Sequence, residues 1–469
     1  MNDPLIKNFL GQLVRFTVGD NGNFTVEGVD QISDIQSKAE TYWRERRKPL
    51  ATPMADLTVD TIKVWNQSGV KADDIRSYGA KATNFSILDK ALTDASIDRT
   101  RYNNGFMVPF SFYDKHMSTE ITADICQSTS KKCSSDLGHS CGNASQLCNN
   151  VRSASRDGKA TLKMYTAAAF EAENRKKMYE DPLHRREFLT FIQRLIREAP
   201  LSTEVSAPIQ KAMETYHKTT RMRLRSSTNA EDIVGLNGAG LYESKSACLG
   251  DGEKAKDDDG KLSACRTSFE AERMRLQVEK LRSLPDNDGK FKALADNINQ
   301  DITKKYPLSK AVRSVYASLW TERAFLTREF YSLDHLKISM GMLSHPSFVD
   351  ESANGVAVVD FKNGVADGIK IEAQYDDISV TNPIFPDAIP ELWSGAVGDG
   401  KLSDTKMVQA STMSTSGRTV LSQKELEELT RQLVIAASAI RSSRGGERYD
   451  LEFILGKERE ILVKQGRPL

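Results

Sequence analysis

The 469-residue chain has no apolar run approaching the ~20 residues that a bilayer-spanning helix needs. Its start, MNDPLIKNFLGQLVRF, has no basic segment followed by a long apolar core, so no secretory signal and no membrane span are read, and a soluble protein is expected. A charge excess is missing as well. With 65 Lys+Arg against 64 Asp+Glu the net charge is +1, which argues against a nucleic-acid footprint or a polybasic membrane binder. The short C-x2–4-C pairs of zinc sites are also lacking, because the six cysteines are widely spaced. Cys126, Cys133, Cys141 and Cys148 crowd one polar stretch, and Cys248 and Cys265 bracket another. An even number of cysteines in insert-like loops fits disulfide staples better than free thiols. Disulfides imply an oxidising compartment, which conflicts with the missing signal unless the natural N-terminus lies upstream.

What is present is a long alternation of strand and helix signals. Apolar residues make up 39% and charged residues 28% of the chain, and its length allows roughly three domains or subdomains. LVRFTV and FTVEGV around GDNGN read as a hairpin, followed by a helix over 32–47 and a linker with two prolines. The first 47 residues are too few for a domain and look like the tail of something upstream. GFMVP reads as a short strand turning at Pro109. Phe188, Phe191, Ile192, Leu195 and Ile196 form one stripe of a helix over 183–198. Further helices are expected over 204–219, 264–283 and 309–331. Leu336, Ile338, Met340 and Met342 alternate, which predicts a strand with one buried face, ended by Pro346. GVAVVDF and GIKIEAQ pair around Asn363-Gly364, and TNPIFPDAIPE is irregular. Ser422 and Glu425 form a capping-box pattern opening a helix that buries Leu426, Leu429, Leu433 and Ile440. The charged run GEKAKDDDGK reads as solvated loop.

Three stretches carry candidate chemistry. In RMRLRSSTNAEDIVGLNGAGLY (221–242), alternation puts Arg221, Arg223 and Arg225 on one strand face and Met222 and Leu224 on the other. The strand runs into three hydroxyls, the acidic pair Glu231 and Asp232, and the loop of Gly235, Gly238 and Gly240. Arginine forks and close backbone approach at glycine are a way to hold phosphate, while a solvated turn is the plainer reading. Gly79, Lys81 and Asn84 stand at a helix start, where free N–H groups attract anions and a lysine adds a full charge. A capped surface helix with an exposed lysine is the plainer reading of that stretch. The last stretch, DLEFILGKEREILVKQGRPL, reads as a hairpin turning near Gly456–Arg459. With Leu455 taken opposite Glu460, Asp450 faces Gln465 and Glu452 faces Val463. Asp450, Glu452, Gln465 and Arg467 then share a face: oxygen ligands for a hard cation and an arginine for phosphate, with an exposed, salt-bridged sheet face as the plainer reading.

In this order the pieces resemble the nucleotide-binding portion of the pyruvate phosphate dikinase and phosphoenolpyruvate synthase family, which also occurs in rifampin phosphotransferases and glucan water dikinases. GAKATN (79–84) looks like the family's GGKxANL, and NNGFMVPFSFY (103–113) like a rearranged V-P-P-G-F strand. RLRSSTNAED (223–232) looks like V-R-S-S-A-T-A-E-D, and DLEFIL with VKQGRP like D-I-E-W plus L-Q-x-R-P. The resemblance spans about residues 75–469.

It implies an α+β, ATP-grasp-like fold: two α+β lobes closing over a nucleotide, with helical insertions and a short N-terminal leader. The expected layout is a leader over 1–47, a first lobe over 72–240 with a Cys-rich insert at 120–150, a helical region over 241–330 and a second lobe over 331–469. It implies ATP and Mg2+ as cofactors. Lys81 contacts phosphates, Arg225 is the phosphate-binding arginine, and Arg467 stabilises the transferring phosphoryl group. Glu452 and Gln465 hold Mg2+ and nucleotide, with Asp450 beside the metal. Leu343, His345 and Phe348 mark an adenine hinge.

The sequence departs from the family pattern at GLNGAGLYES (usually F-A-G-Q-Q-E-T), at SHPSF (usually Q-x-M-V) and at IEAQYDDISVTNP, where Asp376 or Asp377 stands in for the family's glutamate. The family's T-x-S-H-type loop is not found around any of the six histidines. The expected function is therefore the ATP-binding part of a dikinase-like phosphotransferase, acting on a phosphohistidine swivelling domain outside this chain and upstream. A non-catalytic nucleotide module, or the ATP-grasp part of an antibiotic or glucan phosphotransferase, is the alternative. The location is cytoplasmic if the chain acts on ATP, and extracytoplasmic if the cysteines are bonded.

Overall fold

A computed structural model describes residues 14–469 except 19–23, 29–40, 43–44, 47–48, 66–68, 103–104, 156–158, 233–234, 258, 287–288, 382, 384, 386, 399 and 415–416. The GDNGN turn and most of the expected 32–47 helix lie outside the described residues. The expected N-terminal strand pair is present, Val14–Val18 antiparallel to Phe24–Gly28. The chain divides into two compact units.

The first unit comprises Met1–Thr52, Met117–Pro200 and Ala317–Ile338. Its Cys-rich stretch is helical, not looped: helices Ala123–Leu137 and Gly142–Ala154 are bridged by Cys126–Cys148 and Cys133–Cys141. Polar composition hid these helices because the cysteines are themselves their buried stripe. Cys126 and Cys133 are fully buried, seven residues apart on one helical face. Helix Pro182–Glu198 follows the expected stripe, with Pro182 at its first position and Asp181 accepting from the N–H groups of Leu183 and His184. Its buried Glu187 caps the Gly142–Ala154 helix, accepting from Ala144 N–H at 2.8 Å. The helix expected over 309–331 is broken. Leu308–Ala317 ends in a 3-10 turn, Ser318–Trp320, and Glu322–Phe330 restarts after it. Buried Arg328 donates to His335 Nδ1 at 2.9 Å, and His335 Nε2 lies 2.7 Å from Glu329. Burial pushes His335 down to about 4, so a neutral ring accepts at Nδ1 and donates at Nε2.

The second unit comprises Pro53–His116, Leu201–Tyr316 and Ser339–Leu469. In chain order it contains β1 (Lys63–Val64), α1 (Ala80–Asp94), β2 (Phe106–Val108), β3 (Met222–Thr228), β4 (Lys245–Ala247), α2 (Ser268–Ser283) and α3 (Lys290–Ile302). There follow β5 (Met340–Pro346), β6 (Ala353–Lys362), β7 (Val365–Tyr375), β8 (Glu391–Gly398), β9 (Lys401–Gln409), α4 (Gln423–Arg444), β10 (Arg448–Leu455) and β11 (Ile461–Pro468). Two antiparallel sheets result, of order β1-β2-β5-β3-β4 and β9-β8-β7-β6-β10-β11. One core joins them: Phe85, Leu88 and Leu92 of α1 pack with Leu426, Leu429, Leu433 and Ile440 of α4 and with Leu451 and Phe453 of β10. Full burial of each such side chain is worth about 1.5–3 kcal/mol.

Several expectations are corrected here. The helix over 204–219 stops at Met213. The LKISMGML strand starts only at Met340 and is buried on both faces, as an inner strand between β2 and β3; Leu336 lies in a 3-10 turn, 50% exposed. The hairpin of β8 and β9 was not anticipated, since its outer strand is largely exposed and lacks clean alternation. The β6–β7 hairpin around Asn363-Gly364 and the Ser422–Glu425 capping box are as expected. The acids of the GEKAKDDDGK run are not merely solvated, since Glu253 and Asp257 accept from the N–H groups of Ser309 and Lys305.

The C-terminal hairpin differs in register. Leu455 pairs with Ile461, not Glu460, and a bulge between Glu452 and Phe453 places Lys464 as an extra residue. Val463, which the simple register put on the charged face, instead pairs with Phe453 in the core, fully buried. Glu452 now faces Gln465, and Asp450 faces Arg467.

Candidate functional site

The strand β3 is built as its letters demand. Met222 and Leu224 have no exposed surface, and Arg223 and Arg225 take the other face. Arg221 lies just before the strand and is no surface cation, because it pairs with Glu270 at 2.6 Å. After Thr228 the chain turns sharply, and Asp232 holds φ +51°, a left-handed conformation unusual for a residue with a side chain. Helix α1 starts against this strand. Ser227 Oγ accepts from Ala82 N–H at 3.0 Å. Gly79, at φ +84°, is pressed so closely that a Cβ there would lie 2.4 Å from Ser227 Oγ. Gly238 is tight for a similar reason, since a Cβ would meet Glu231 Cβ at 2.4 Å.

These elements, with β6, β10 and β11, enclose a cleft of about 580 Å3. The described residues lining it include Lys81, Arg225, Asp450, Glu452, Gln465 and Arg467, six of the expected site residues, together with Gly238–Gly240, Asn354–Val356 and Ser379–Thr381. Arg225 donates to Lys464 O at 3.0 Å and to Gln465 Oε1, and lies 3.5 Å from Glu452. Arg467 holds Asp450 through Nε (2.9 Å) and a terminal nitrogen (2.5 Å), and reaches Asp232 at 3.5 Å. Lys81 Nζ lies 3.4 Å from both Ser226 Oγ and Glu231 Oε1.

Electrostatics divides the four carboxylates. Glu231 is fully buried and its pKa is raised to about 7, by burial first, against the opposing charge of Lys81. Asp450 is also raised by burial, with Arg467 opposing. For Glu452 burial acts the same way, but the charges of Arg225, Lys464, Arg467 and Lys81 outweigh it and hold it below the usual range. Asp232 is buried, and its second carboxylate oxygen has no hydrogen-bond partner among the described residues.

Leu343, His345 and Phe348 stand elsewhere. Leu343 is fully buried, its backbone paired with Arg225 on one side and Met107 on the other. His345 lies in an aromatic nest, 5.4 Å from Tyr102 and 5.7 Å from Phe348 by ring centroids, and burial with Arg225 nearby pushes it down to about 3. None of the three is among the described residues lining the cleft. Asp377 is engaged by Arg273 at 2.9 Å, and Asp376 occupies a turn at φ +55°. The cleft is lined instead by the following Ser379–Thr381. Glu231 and Asp232 stand out in the sequence as an acidic pair within S-S-T-N-A-E-D, but nothing in those letters assigns them the partners Lys81 and Arg467.

A family model described as pyruvate phosphate dikinase, AMP/ATP-binding domain, matches residues 75–469. The chain belongs to that family. A search of curated proteins finds no match. The chain is thus an ATP-binding domain of the dikinase family, and the matched span contains every residue named in the cleft. No helix among the described residues of this dikinase-family domain is long and apolar enough to cross a membrane. Its six cysteines form three disulfides, Cys248–Cys265 being the third, a pairing compatible with either side of a membrane.

Proposed function

We propose that this domain binds Mg-ATP in the cleft and transfers a phosphoryl group to a histidine on a separate swivelling domain. One observation carries the reading: Lys81, Arg225 and Arg467, from three elements far apart in sequence, line one cleft with two carboxylates on neighbouring register positions. Phosphoryl transfer needs little covalent chemistry from the protein. It needs positioned cations that neutralise charge on the phosphates. Lys81, at the start of α1, meets phosphate oxygens at the positive end of the helix. Arg225 and Arg467 are held by Gln465 and Asp450, which fix their forks before the nucleotide arrives. The loop at Gly238–Gly240 lets backbone N–H groups approach.

The donor set fits magnesium. It is all oxygen, and Mg2+ is ordinarily held by one or two carboxylates plus phosphate oxygens and water. The cleft cations Lys81, Arg225, Lys464 and Arg467 are matched by Glu231, Asp232, Asp450 and Glu452, so bare ATP would add its whole charge to a balanced site. Glu452 and Gln465 would hold the ion with Asp450 adjacent, and the ion would supply charge that offsets the phosphates.

Calorimetric titration of Mg-ATP tests the reading. Binding is expected for the parent, with affinity falling about tenfold or more in Lys81→Met and in Arg225→Ala. Absent parental binding, or binding indifferent to both substitutions, would sink it. A second reading, a nucleotide-binding module without transfer, draws on the same ion pairs: each of the three expected phosphate contacts already holds a carboxylate. It gains if Mg-ATP binds while no phosphate is released over hours, and loses if slow release occurs and Arg467→Met abolishes it.

A further inference from the structure

A second cavity, of about 460 Å3, opens beside β3 and β4 and against α2. The described residues lining it include eight arginines and lysines and three carboxylates, and Lys245, Lys305 and Lys310 pair with Glu243, Asp259 and Asp257 beyond the lining. At its wall Arg221 and Arg266 share one oxygen of Glu270, at 2.6 and 3.1 Å. The Nε atoms of both arginines are buried without a hydrogen-bond partner, as is the second oxygen of Glu270. Tyr306 lies between them, its ring centroid 5.6 Å from the Arg221 guanidinium and 5.7 Å from that of Arg266. Arg223 adds a third guanidinium that makes no ion pair among the described residues.

Two guanidiniums on one carboxylate oxygen, with a third arginine lining the same cavity and making no ion pair among the described residues, is a costly arrangement for a protein to hold by itself. It is also built firmly. The Cys248–Cys265 disulfide joins the end of β4 to the residue before Arg266, and Cys248 N–H donates to Tyr306 O at 2.8 Å. Planar guanidinium forks suit phosphate oxygens, and the cavity is larger than one phosphate requires. We propose that this cavity is a second anion site, separate from the nucleotide cleft, that takes a small molecule bearing two or more phosphate groups. Ser244 lines both cavities, and Arg223 and Arg225 are next neighbours on one face of β3, about 7 Å apart. The anion held here therefore lies close to the nucleotide phosphates without sharing their cations.

Inorganic pyrophosphate is a suitable probe, titrated calorimetrically into the full chain at an ionic strength of about 0.15 M. Lys81→Met serves as the background, to silence the nucleotide cleft. Pyrophosphate is expected to bind this background protein at one site, and adding Arg223→Glu is expected to lower that affinity about tenfold or more. Arg223 has accessible surface and no ion pair, so the fold should persist, and an unchanged melting temperature checks it. Lys245→Gln, on the rim, is expected to give a smaller loss. No binding in the Lys81→Met background would overturn the proposal. So would equal affinity after Arg223→Glu, or equally weak binding of sulfate and pyrophosphate. Loss of Mg-ATP binding with pyrophosphate binding retained would refute the nucleotide reading alone.

Discussion

Glu231 offers a sharp test of the electrostatics of the cleft. Its carboxyl titrates at about 7 in the folded protein, because burial disfavours the charge more than Lys81 favours it. The unfolded chain ionises this group near its ordinary value of 4.5. Between those two values the folded state holds more protons than the unfolded one. Stability from this group is therefore fully present below about pH 4.5 and is lost as pH rises through 7. The gap of about 2.5 pH units corresponds to roughly 3 kcal/mol. Glu231→Gln removes the titration and keeps an oxygen to accept from Thr228 N–H, now at 3.1 Å. The lost Lys81 contact adds an offset that varies little with pH. Relative to the parent, the variant is expected to gain about 2–3 kcal/mol between pH 5 and pH 8. The second unit has roughly 300 residues, so its unfolding entropy is ~0.6 kcal/mol per kelvin and the gain reads as about 3–5 °C in relative Tm. Differential scanning calorimetry of both proteins at the two pH values measures it. Tm profiles that stay parallel to within about 1 °C would refute the reasoning.

The remaining predictions rest on other parts of the unit. Gly79→Ala forces a Cβ against Ser227 at a positive φ and is expected to cost about 2–4 kcal/mol in denaturant unfolding; a change below 0.5 kcal/mol would contradict the packing. Arg99 pairs with buried Asp89 at 2.7 Å, so Arg99→Met is expected to cost about 3–5 kcal/mol, and adding Asp89→Asn to recover part of it. Mg-ATP binding near pH 7 is expected to take up a fraction of a proton, since phosphates beside Lys81 push Glu231 further up; binding enthalpies identical in buffers of different ionisation heat would exclude this. A thiol count in denaturant without reductant is expected to find no free cysteine, and six free thiols would remove all three disulfides.

Much of the site was legible because its signals are local. Gly79-Ala-Lys81 marks a helix start, Ser422 with Glu425 marks another, and Asn363-Gly364 marks a hairpin, each through chemistry among residues a few positions apart. The same holds for Arg225 and the Asp450–Glu452 pair, whose faces follow from strand alternation alone. Where partners lie far apart in sequence, reading by letters failed. Arg221 is drawn inward by Glu270, forty-nine positions on, and the cysteines count as core only once two helices are laid together.

What the sequence by itself determined is the elements that carry the cleft, their order and the chemistry of the cleft's cations, since periodicity and motif are properties of short stretches. Only the tertiary structure decided the register that makes those residues meet. The Leu455–Ile461 register buries Val463 against Phe453, and the bulge at Lys464 then sets Gln465 across from Glu452 and Arg467 across from Asp450. It also decided the charge state of Glu231, because desolvation depends on everything packed around a carboxyl and on nothing in its neighbouring letters.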